Sequence, residues 1–366
     1  MGFRCGIVGL PNVGKSTLFN ALSGTAAAAA ENYPFCTIEP NIGRVPVPDV
    51  RLERIAALAK APRTVPTWLD FVDIAGLVAG ASRGEGLGNQ FLGHIREVDA
   101  IAHVLRCFEG EGVAHVAGRV DPCADAEIVD TELMLADLDS LERRLDGLVK
   151  RARGGDSEAK AMLALAERAA AALRAGQPGR GLEVAREQRR WWRELQLLTA
   201  KPVLYVCNVD EASAATGNQH SRAVEAMAQA AGAEAVVISV AIEADIAQLA
   251  DAAERRAFLD SLGLAEPGLA RLIRAGHRLL GLITFFTAGP KEARAWTVPA
   301  GTTAQAAAGE IHTDFARGFI CAETISCADY LGAGGEQAAK DAGLMRQEGR
   351  DYVVRDGDVI RFRFNV

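Results

Sequence analysis

The chain has 366 residues, of which 49% are hydrophobic and 24% charged, a composition typical of folded proteins rather than disordered ones. This length favours two or three domains, and the net charge of −7 argues against general affinity for nucleic acids, so DNA is not an expected partner. No apolar run approaches the roughly 20 residues that cross a bilayer, and the first residues, MGFRCGIVG, carry no secretion signal. We therefore expect a cytoplasmic protein without a membrane partner, whose seven cysteines are reduced thiols rather than disulfides or zinc ligands.

Short apolar runs predict buried parallel strands, and helix-like segments such as Ser16–Ser23 and Gln90–Val98 separate several of them. The runs are Cys5–Val8, Leu69–Asp73, Ala100–Leu105, Val203–Cys207 and Val236–Ser239. This alternation predicts a doubly wound α/β domain, in which ligands bind at the carboxyl ends of the strands. Most of the runs lead into polar or glycine-rich motifs, which favours one nucleotide site at that edge.

The first run leads into GLPNVGKST, from Gly9 to Thr17, which matches the phosphate-binding P-loop pattern. Its glycines let consecutive backbone N–H groups face phosphates, and the following helix adds its positive N-terminal dipole. We expect Lys15 to reach the β- and γ-phosphates, Ser16 to bind Mg²⁺ and Thr17 to contact the α-phosphate. Asn12 is a candidate ligand for a monovalent cation, such as K⁺, beside the phosphates.

Two segments have the features of switch loops that sense the γ-phosphate. The motif DIAG, from Asp73 to Gly76, ends the second run, where such an Asp holds a magnesium-bound water and the Gly N–H contacts the phosphate. Thr37, in YPFCTIEPN, is the candidate second magnesium ligand, although a lone Thr is more often a turn residue. We expect Ala26–Ala30 to belong to a flexible switch loop.

The residues expected to act in hydrolysis depart from the commonest pattern. The position after DIAG is Leu77, where Ras-like enzymes carry the Gln that orients the attacking water, so we expect slow intrinsic turnover. His115 is a candidate for positioning that water, with an ordinary surface or core histidine as the alternative. Asn12, through its cation, would take the place of an arginine finger.

The predicted base-recognition segment lacks the guanine signature Asn-Lys-x-Asp, which occurs nowhere in the chain. After the fourth run stands Asn208-Val209-Asp210-Glu211, with Val in place of Lys and the longer Glu in place of Asp. After the fifth run, Ser239 is followed by Val and Ala, without the usual Lys. Because a polar mismatch in a base pocket is costly, we expect ATP to be preferred over GTP, with GTP held by a rearranged loop as the alternative.

Residues 131–199 have an almost purely helical pattern and carry 13 Lys and Arg against 11 Asp and Glu. An apolar heptad seam runs through Met134, Leu138, Leu141, Leu145 and Leu148. The seam favours a helical hairpin that packs on itself over an intermolecular zipper, with breaks at Gly154-Gly155 and near Gly176. Two basic stretches predict either a solvated surface or RNA contact. They consist of Arg143, Arg144, Lys150, Arg151 and Arg153, and of Arg186, Arg189, Arg190 and Arg193.

From about Leu279 the pattern predicts a small mixed α+β unit. We expect one helix at Thr303–Arg317 and a terminal hairpin closed by the turn at Asp356-Gly357-Asp358. The expected strands are Ile283–Phe286, Ala295–Val298, Tyr352–Val354 and Val359–Phe364.

Together these motifs resemble the YchF-type, Obg-like ATPases of the translation-factor class of P-loop proteins, over nearly the whole chain. The block that includes AWTVPAGTTAQAAAGEIHTDFARGFICAE and ends in DGDVIRFRFNV resembles the ubiquitin-like (β-grasp) TGS domain. The resemblance implies a nucleotide-binding core at 1–130 and 200–278, an inserted coiled-coil-like helical domain at 131–199 and a TGS domain at 279–366.

The resemblance also implies ATP preference, Mg²⁺ and association with the ribosome, with RNA contacted through the helical and TGS domains. By position, Asn12 to Thr17, including Val13 and Gly14, bind phosphates, Ser16 and Thr37 bind magnesium, and Val209 contacts the base through its backbone. Leu77 is the family's own hydrophobic substitution. Two other functions stay open: a nucleotide-regulated scaffold for protein partners with incidental hydrolysis, and a conventional GTPase.

Overall fold

The computed structural model describes residues 3–32, 41–74, 87–109, 119–249 and 251–365. The chain divides into two compact units, each built from separate stretches of sequence. The first comprises Met1–Ala27, Thr37–Arg44 and Asp70–Gly276, and the second consists mainly of Val45–Leu69 and His277–Val366. In the described part of the chain, every helix is too short or too polar to span a bilayer.

The sheet of the first unit contains every strand predicted from the apolar runs. Its order across the sheet is β2 (Ile42–Pro46), β4 (Trp68–Asp73), β1 (Arg4–Val8), β5 (Ala100–Arg106), β6 (Val203–Asn208) and β7 (Glu234–Ile238). β1 is parallel to β4 and β5, β5 is parallel to β6, and β6 is parallel to β7. The carboxyl ends of these strands therefore share one edge, as the α/β prediction requires.

The central strands are apolar because both of their faces are covered. Every residue of β5 and of β6 is buried, which is the pattern of parallel strands packed between helices.

The helices of the whole described chain are α1 (Lys15–Asn32), α2 (Val50–Ala59), α3 (Leu87–Glu97), α4 (Pro122–Arg153), α5 (Ser157–Arg174), α6 (Arg189–Leu195), α7 (Gln219–Ala230), α8 (Val240–Gln248), α9 (Ala252–Ser261), α10 (Gly268–Leu279), α11 (Ala304–Ile311), α12 (Thr313–Arg317), α13 (Cys327–Ala333) and α14 (Glu336–Asp341).

The helical region packs on itself, as the heptad seam predicted. Leu141 and Leu148 of α4 are buried against Leu165 and Leu173 of α5, and the other seam residues pack against the same core. Both helices begin at aspartate caps, and α4 ends at Gly154, one of the predicted breaks. Because this chain covers its own seam, the hairpin prediction is confirmed.

A buried carboxylate fixes the end of the helical region to α4. Asp137 accepts hydrogen bonds from the backbone N–H groups of Leu198 and Thr199, both at 2.8 Å, and from the Thr199 hydroxyl at 2.7 Å. Burial raises the pKa of Asp137, and these donors oppose that rise. Three donors to one carboxylate satisfy a polar group that would otherwise be costly to bury.

The second unit has the β-grasp arrangement that the sequence resemblance implied. Its sheet runs in the order β11 (Arg346–Glu348), β10 (Phe319–Ser326), β12 (Asp358–Phe364), β8 (Leu282–Ala288), β9 (Ala293–Pro299) and β3 (Thr64–Val65). β12 is parallel to β8 and antiparallel to β10. The sheet and α11 enclose a core around Phe285, Val298 and Ala307.

The helix α2, which the sequence analysis did not predict, completes this second unit. Its Leu52 and Ile55 are buried against Phe286 and Ala293 of the sheet. Directly before Leu52 in sequence, the Arg51 guanidinium pairs with Asp49 at 2.7 Å and with Asp356 at 2.6 Å. A segment from the first seventy residues therefore belongs to the same core as the C-terminal strands.

Several C-terminal predictions were wrong. Tyr352–Val354 is not a strand of a terminal hairpin but forms a single bridge between Val353 and Thr303. The backbone of this segment bonds to 302–304 instead, since the Tyr352 carbonyl accepts from the Ala304 N–H at 2.7 Å and the Val354 N–H donates to the Thr302 carbonyl at 3.0 Å.

The predicted helix Thr303–Arg317 is divided into α11 and α12 at His312. There the backbone is extended (φ −162°) and the imidazole Nδ1 accepts from the Asp314 N–H, so the second helix gains its own cap. The alanines Ala26–Ala30 are also not a loop, because α1 continues to Asn32, consistent with the high helix propensity of alanine.

Candidate functional site

The loop between β1 and α1 follows a backbone path that its glycines permit. Gly14 has a φ of +100° and Asn12 a φ of +62°, both in the left-handed region. A Cβ on Gly9 would lie 2.5 Å from the Val104 carbonyl oxygen, and one on Gly14 would lie 2.5 Å from the Asn208 amide nitrogen. The loop therefore packs directly against the ends of β5 and β6.

The side chain of Lys15 lies inside this loop. Its side chain is 8% exposed, and its ammonium donates to the Leu10 carbonyl oxygen at 2.6 Å. Burial lowers the pKa of Lys15 to about 8, and the negative charge of Asp73 opposes that decrease. The structure thus holds a partly desolvated cation within a loop of backbone N–H groups, a suitable arrangement for a polyanion.

Hydroxyl and carboxylate oxygens lie next to this cation. Ser16 and Thr17 are exposed in the first turn of α1, where the helix dipole is positive. Asp73 ends β4 beside Ile7 of β1, and burial raises its pKa while Lys15 opposes that rise. An exposed hydroxyl and a nearby carboxylate are oxygen donors that suit Mg²⁺, so the residues present fit a magnesium–nucleotide complex.

Asn208, at the end of β6, ties the phosphate loop to the neighbouring strand. Its side chain is 5% exposed; its amide nitrogen donates to the Val13 carbonyl at 2.9 Å and its amide oxygen accepts from the Val240 N–H at 3.1 Å. These two contacts fix the orientation of the amide. Asn208 therefore connects the P-loop, the predicted base-recognition segment and the start of α8.

The other predicted base-recognition residues surround this asparagine. Val209 is buried, and its N–H donates to the Ile238 carbonyl at 2.9 Å. Ser239 is 2% exposed, and its hydroxyl lacks a hydrogen-bond partner within the described chain. Glu211 is exposed in a short 3₁₀ helix that the Asp210 carboxylate caps. The buried hydroxyl and the exposed carboxylate are polar groups that a bound base could use.

Three of the predicted site residues lie outside the described residues. They are Thr37, the candidate magnesium ligand of the first switch, Gly76 of the DIAG motif, and His115, the candidate for positioning water. Their roles stay predictions, as does the role of Asn12 in holding a monovalent cation.

Comparisons with known proteins agree with this geometry. Residues 4–139 match a family model described as a 50S ribosome-binding GTPase, and residues 282–365 match the model of the YchF GTPase C-terminal family, described as a protein of unknown function. The ribosome-binding ATPase YchF of Escherichia coli O157:H7 is 55% identical over 366 residues, which cover 100% of both chains. The chain belongs to the YchF family.

Other YchF proteins show the same full-length similarity. The ribosome-binding ATPase YchF of Bacillus subtilis strain 168 is 49% identical, again over 100% of both chains. The solved structure of the Schizosaccharomyces pombe YchF GTPase has a TM-score of 0.89 and 36% identity, and the match covers 99% of this chain and 98% of that one. One set of names says ATPase and the other GTPase, so the names leave the choice of base open.

In this YchF-family chain, the sequence motifs led to the P-loop, Asp73 and the segment after β6, and the structure brings these together at one sheet edge. The motifs did not indicate the Leu10 carbonyl that receives the Lys15 ammonium, or the Val240 N–H that orients Asn208. Both are backbone groups, which any residue type supplies, so the sequence carries no signal for them.

Proposed function

We propose that this protein binds and hydrolyses ATP, in preference to GTP, as a nucleotide-dependent switch that associates with the ribosome. The observation that carries the proposal is the buried Asn208, which joins the phosphate-binding loop to a base-recognition segment without the guanine signature. Phosphate binding and base selection are thereby coupled through one side chain.

The phosphate part of the proposal rests on Lys15 and the first turn of α1. A triphosphate would attract the Lys15 ammonium away from the Leu10 carbonyl and would meet the N–H groups of the loop. Ser16 and Asp73 would hold Mg²⁺, directly or through water, with Thr37 as the further ligand. The ion would supply charge neutralisation at the β- and γ-phosphates.

The base part rests on the hydrogen-bonding groups that the protein leaves available. Because the Val209 N–H already donates to Ile238, base contact through the Val209 backbone would use its carbonyl oxygen. A carbonyl accepts a hydrogen bond from the adenine amino group but repels guanine O6. Glu211, longer than the Asp of the guanine signature, also changes the distance to the base. Both features favour adenine.

Turnover is expected to be slow without a partner. Leu77 lacks a hydrogen-bonding group for the attacking water, so the nucleotide-bound state would persist until another group completes the site. Slow hydrolysis suits a switch, because the bound state then lasts long enough to be recognised. The relatives named ribosome-binding ATPases make the ribosome the proposed partner.

Single-turnover hydrolysis of ATP, measured with and without ribosomes, tests the proposal. We expect ribosomes to accelerate hydrolysis in the wild-type protein, and Lys15→Ala to abolish nucleotide binding in both conditions. Hydrolysis that ribosomes leave unchanged would favour the alternative, a nucleotide-regulated scaffold. Thermal unfolding of Lys15→Ala without nucleotide controls for its fold, because the Leu10 carbonyl loses its donor in this variant.

A further inference from the structure

A cavity of about 390 Å³ lies in the helical region, between α6 and the chain segments around 179–184 and 200–202. Three arginines and one tryptophan, Arg180, Arg189, Arg193 and Trp192, line it together with aliphatic side chains such as Leu182 and Val184. None of the described residues that line it is acidic. A volume of this size accommodates one small organic anion such as a nucleotide.

Two of these arginines have no charged partner among the residues that the structure describes. Within the described residues, the guanidinium groups of Arg189 and Arg193 have neither an ion pair nor a hydrogen bond, and both side chains are exposed. Their neighbour Arg190, by contrast, pairs with Glu158 at 2.8 Å. Because Arg189 and Arg193 are four residues apart on α6, they lie on the same side of the helix.

The third arginine forms part of the wall rather than a free charge. Arg180 is largely buried and pairs with Asp130, which balances its charge. The nearby Glu183 and Glu187 are exposed and do not line the cavity. The electrostatic character of the opening is therefore set by Arg189 and Arg193.

Trp192 supplies an aromatic surface between these cations. It is half-buried, and a Cβ placed on Gly179 would lie 3.4 Å from its ring atom Cζ2. That distance is an ordinary van der Waals contact, so the indole lies against the backbone there, and it also packs against the core of the helical region. An indole that packing holds in place can stack on a base. Two guanidinium groups on the same helix, unpaired within the described residues, can bind the phosphates of that base.

We propose that this cavity binds one unstacked nucleotide of a single-stranded RNA, with its base against Trp192 and its flanking phosphates on Arg189 and Arg193. The proposal rests on the proposed function, because ribosomal RNA is the RNA that the protein would meet. It specifies which part of the helical region makes the contact. An aromatic face stacks on every base, so the site would select unpaired RNA rather than a particular sequence.

Binding of a fluorescently labelled oligouridylate of about ten nucleotides, a length comparable to the site sizes of single-strand binding folds, tests the cavity in the full-length protein. We expect Trp192→Leu to weaken binding roughly 5- to 150-fold, and Trp192→Phe to restore most of it. The double variant Arg189→Gln, Arg193→Gln should lower the slope of log affinity against log salt by about 1.4. The matched control is Arg256→Gln, an exposed arginine of α9 paired with Asp260 and outside both basic stretches, which should bind within about twofold of the wild type.

Further ligands separate the possible occupants. An oligonucleotide with abasic sugars keeps the phosphates, so it should bind weakly to the wild type and be insensitive to Trp192→Leu. Equal binding of the abasic and normal oligonucleotides, or unchanged binding by Trp192→Leu, would overturn the proposal. Competition by an acidic peptide at the same concentration as RNA would assign the cavity to a protein partner, and uridine monophosphate that binds as tightly as the oligomer would assign it to a free nucleotide.

Failure of this cavity can be distinguished from failure of the proposed function. Ribosome-stimulated ATP hydrolysis tests the function without reference to the cavity, whereas oligonucleotide binding tests the cavity without ribosomes. Thermal unfolding of each variant shows whether a loss of binding comes from a loss of fold.

Discussion

Replacing Asn208 by alanine should damage both stability and nucleotide binding, because one buried amide serves both. Asn208→Ala removes the bonds to the Val13 carbonyl at 2.9 Å and to the Val240 N–H at 3.1 Å. Asn208 is 5% exposed, so water has little access to the Val13 carbonyl and the Val240 N–H that the variant leaves unpaired. At about 1–3 kcal/mol for each unsatisfied group, the free energy of unfolding should fall by about 2–6 kcal/mol.

Nucleotide affinity should fall by more than the loss of a single base contact would explain. Without the Asn208 amide, the Val13 carbonyl is no longer held and the P-loop backbone loses one of its fixed points. We expect at least a tenfold weaker affinity for ATP, or about 1.4 kcal/mol, in isothermal titration calorimetry. Urea unfolding of the nucleotide-free protein measures the stability change separately.

Asn218→Ala is a matched control for this prediction. Asn218 also joins two elements, since its amide donates to the Cys107 carbonyl at 2.6 Å and accepts from the Ser221 N–H at 3.0 Å, but it caps α7 instead of contacting the P-loop. It should lower stability by about 1–2 kcal/mol and leave ATP affinity unchanged. Wild-type stability of Asn208→Ala, or ATP binding weakened no more than by Asn218→Ala, would contradict this dual role of Asn208.

Three further predictions follow from the described contacts. Gly14→Ala places a Cβ 2.5 Å from the amide nitrogen at the end of β6 and should abolish ATP binding in calorimetry, whereas Gly155→Ala, at φ +92° with open space around it, should cost only about 1 kcal/mol in urea unfolding. Burial lowers the pKa of Lys15 from 10.5 to about 8, so the unfolded state binds more protons between these values and the stability of the nucleotide-free protein should rise across this pH range. Lys15→Ala should remove that rise in urea titrations at each pH, and its persistence would show that another group causes it. In the second unit, burial tends to raise the pKa of Asp356, but hydrogen bonds from Arg51 and the Thr284 N–H make the net change a decrease. Arg51→Met should therefore destabilise the protein by about 1–2 kcal/mol at pH 7, and the difference from wild type should shrink as the pH falls below about 4 and Asp356 becomes protonated. A difference that stays constant down to pH 3 would contradict the ion-pair explanation.

The sequence predicted the nucleotide-binding sheet well because each central strand is both apolar and followed by a chemical motif. β5 and β6 are continuous buried runs, and their ends carry the residues that meet the P-loop. Such local signals are sufficient when one short stretch determines both the strand and the site. The helical hairpin was predictable for a similar reason, since its heptad seam and glycine breaks are local patterns.

The second unit was less predictable because its contacts are distant in sequence. Arg51 and Asp356 lie 305 positions apart, and the burial of Ile55 against Phe286 depends on the same long-range packing. The strand β10 was missed because its buried residues alternate irregularly with polar ones, with a register shift between Phe319 and Cys321. Neither feature produces a periodic signal in the sequence.

Within the site, residue types were predictable but their partners were not. The sequence predicted that Lys15 and Asn208 take part in nucleotide binding, and those roles stay predictions. It did not indicate that Asn208 also fixes the P-loop, because its partners are the backbone groups of Val13 and Val240.

The most direct test of the central claim is a competition of ATP, GTP and ITP for the site of the full-length protein in the presence of Mg²⁺. ITP carries the O6 of guanine but lacks its amino group, so it isolates the effect of the oxygen at the base-recognition segment. We expect ATP to bind more tightly than both, ITP to be as weak as GTP, and Lys15→Ala to bind none of the three. Tighter binding of GTP than of ATP, or ATP binding that survives Lys15→Ala at full affinity, would contradict it.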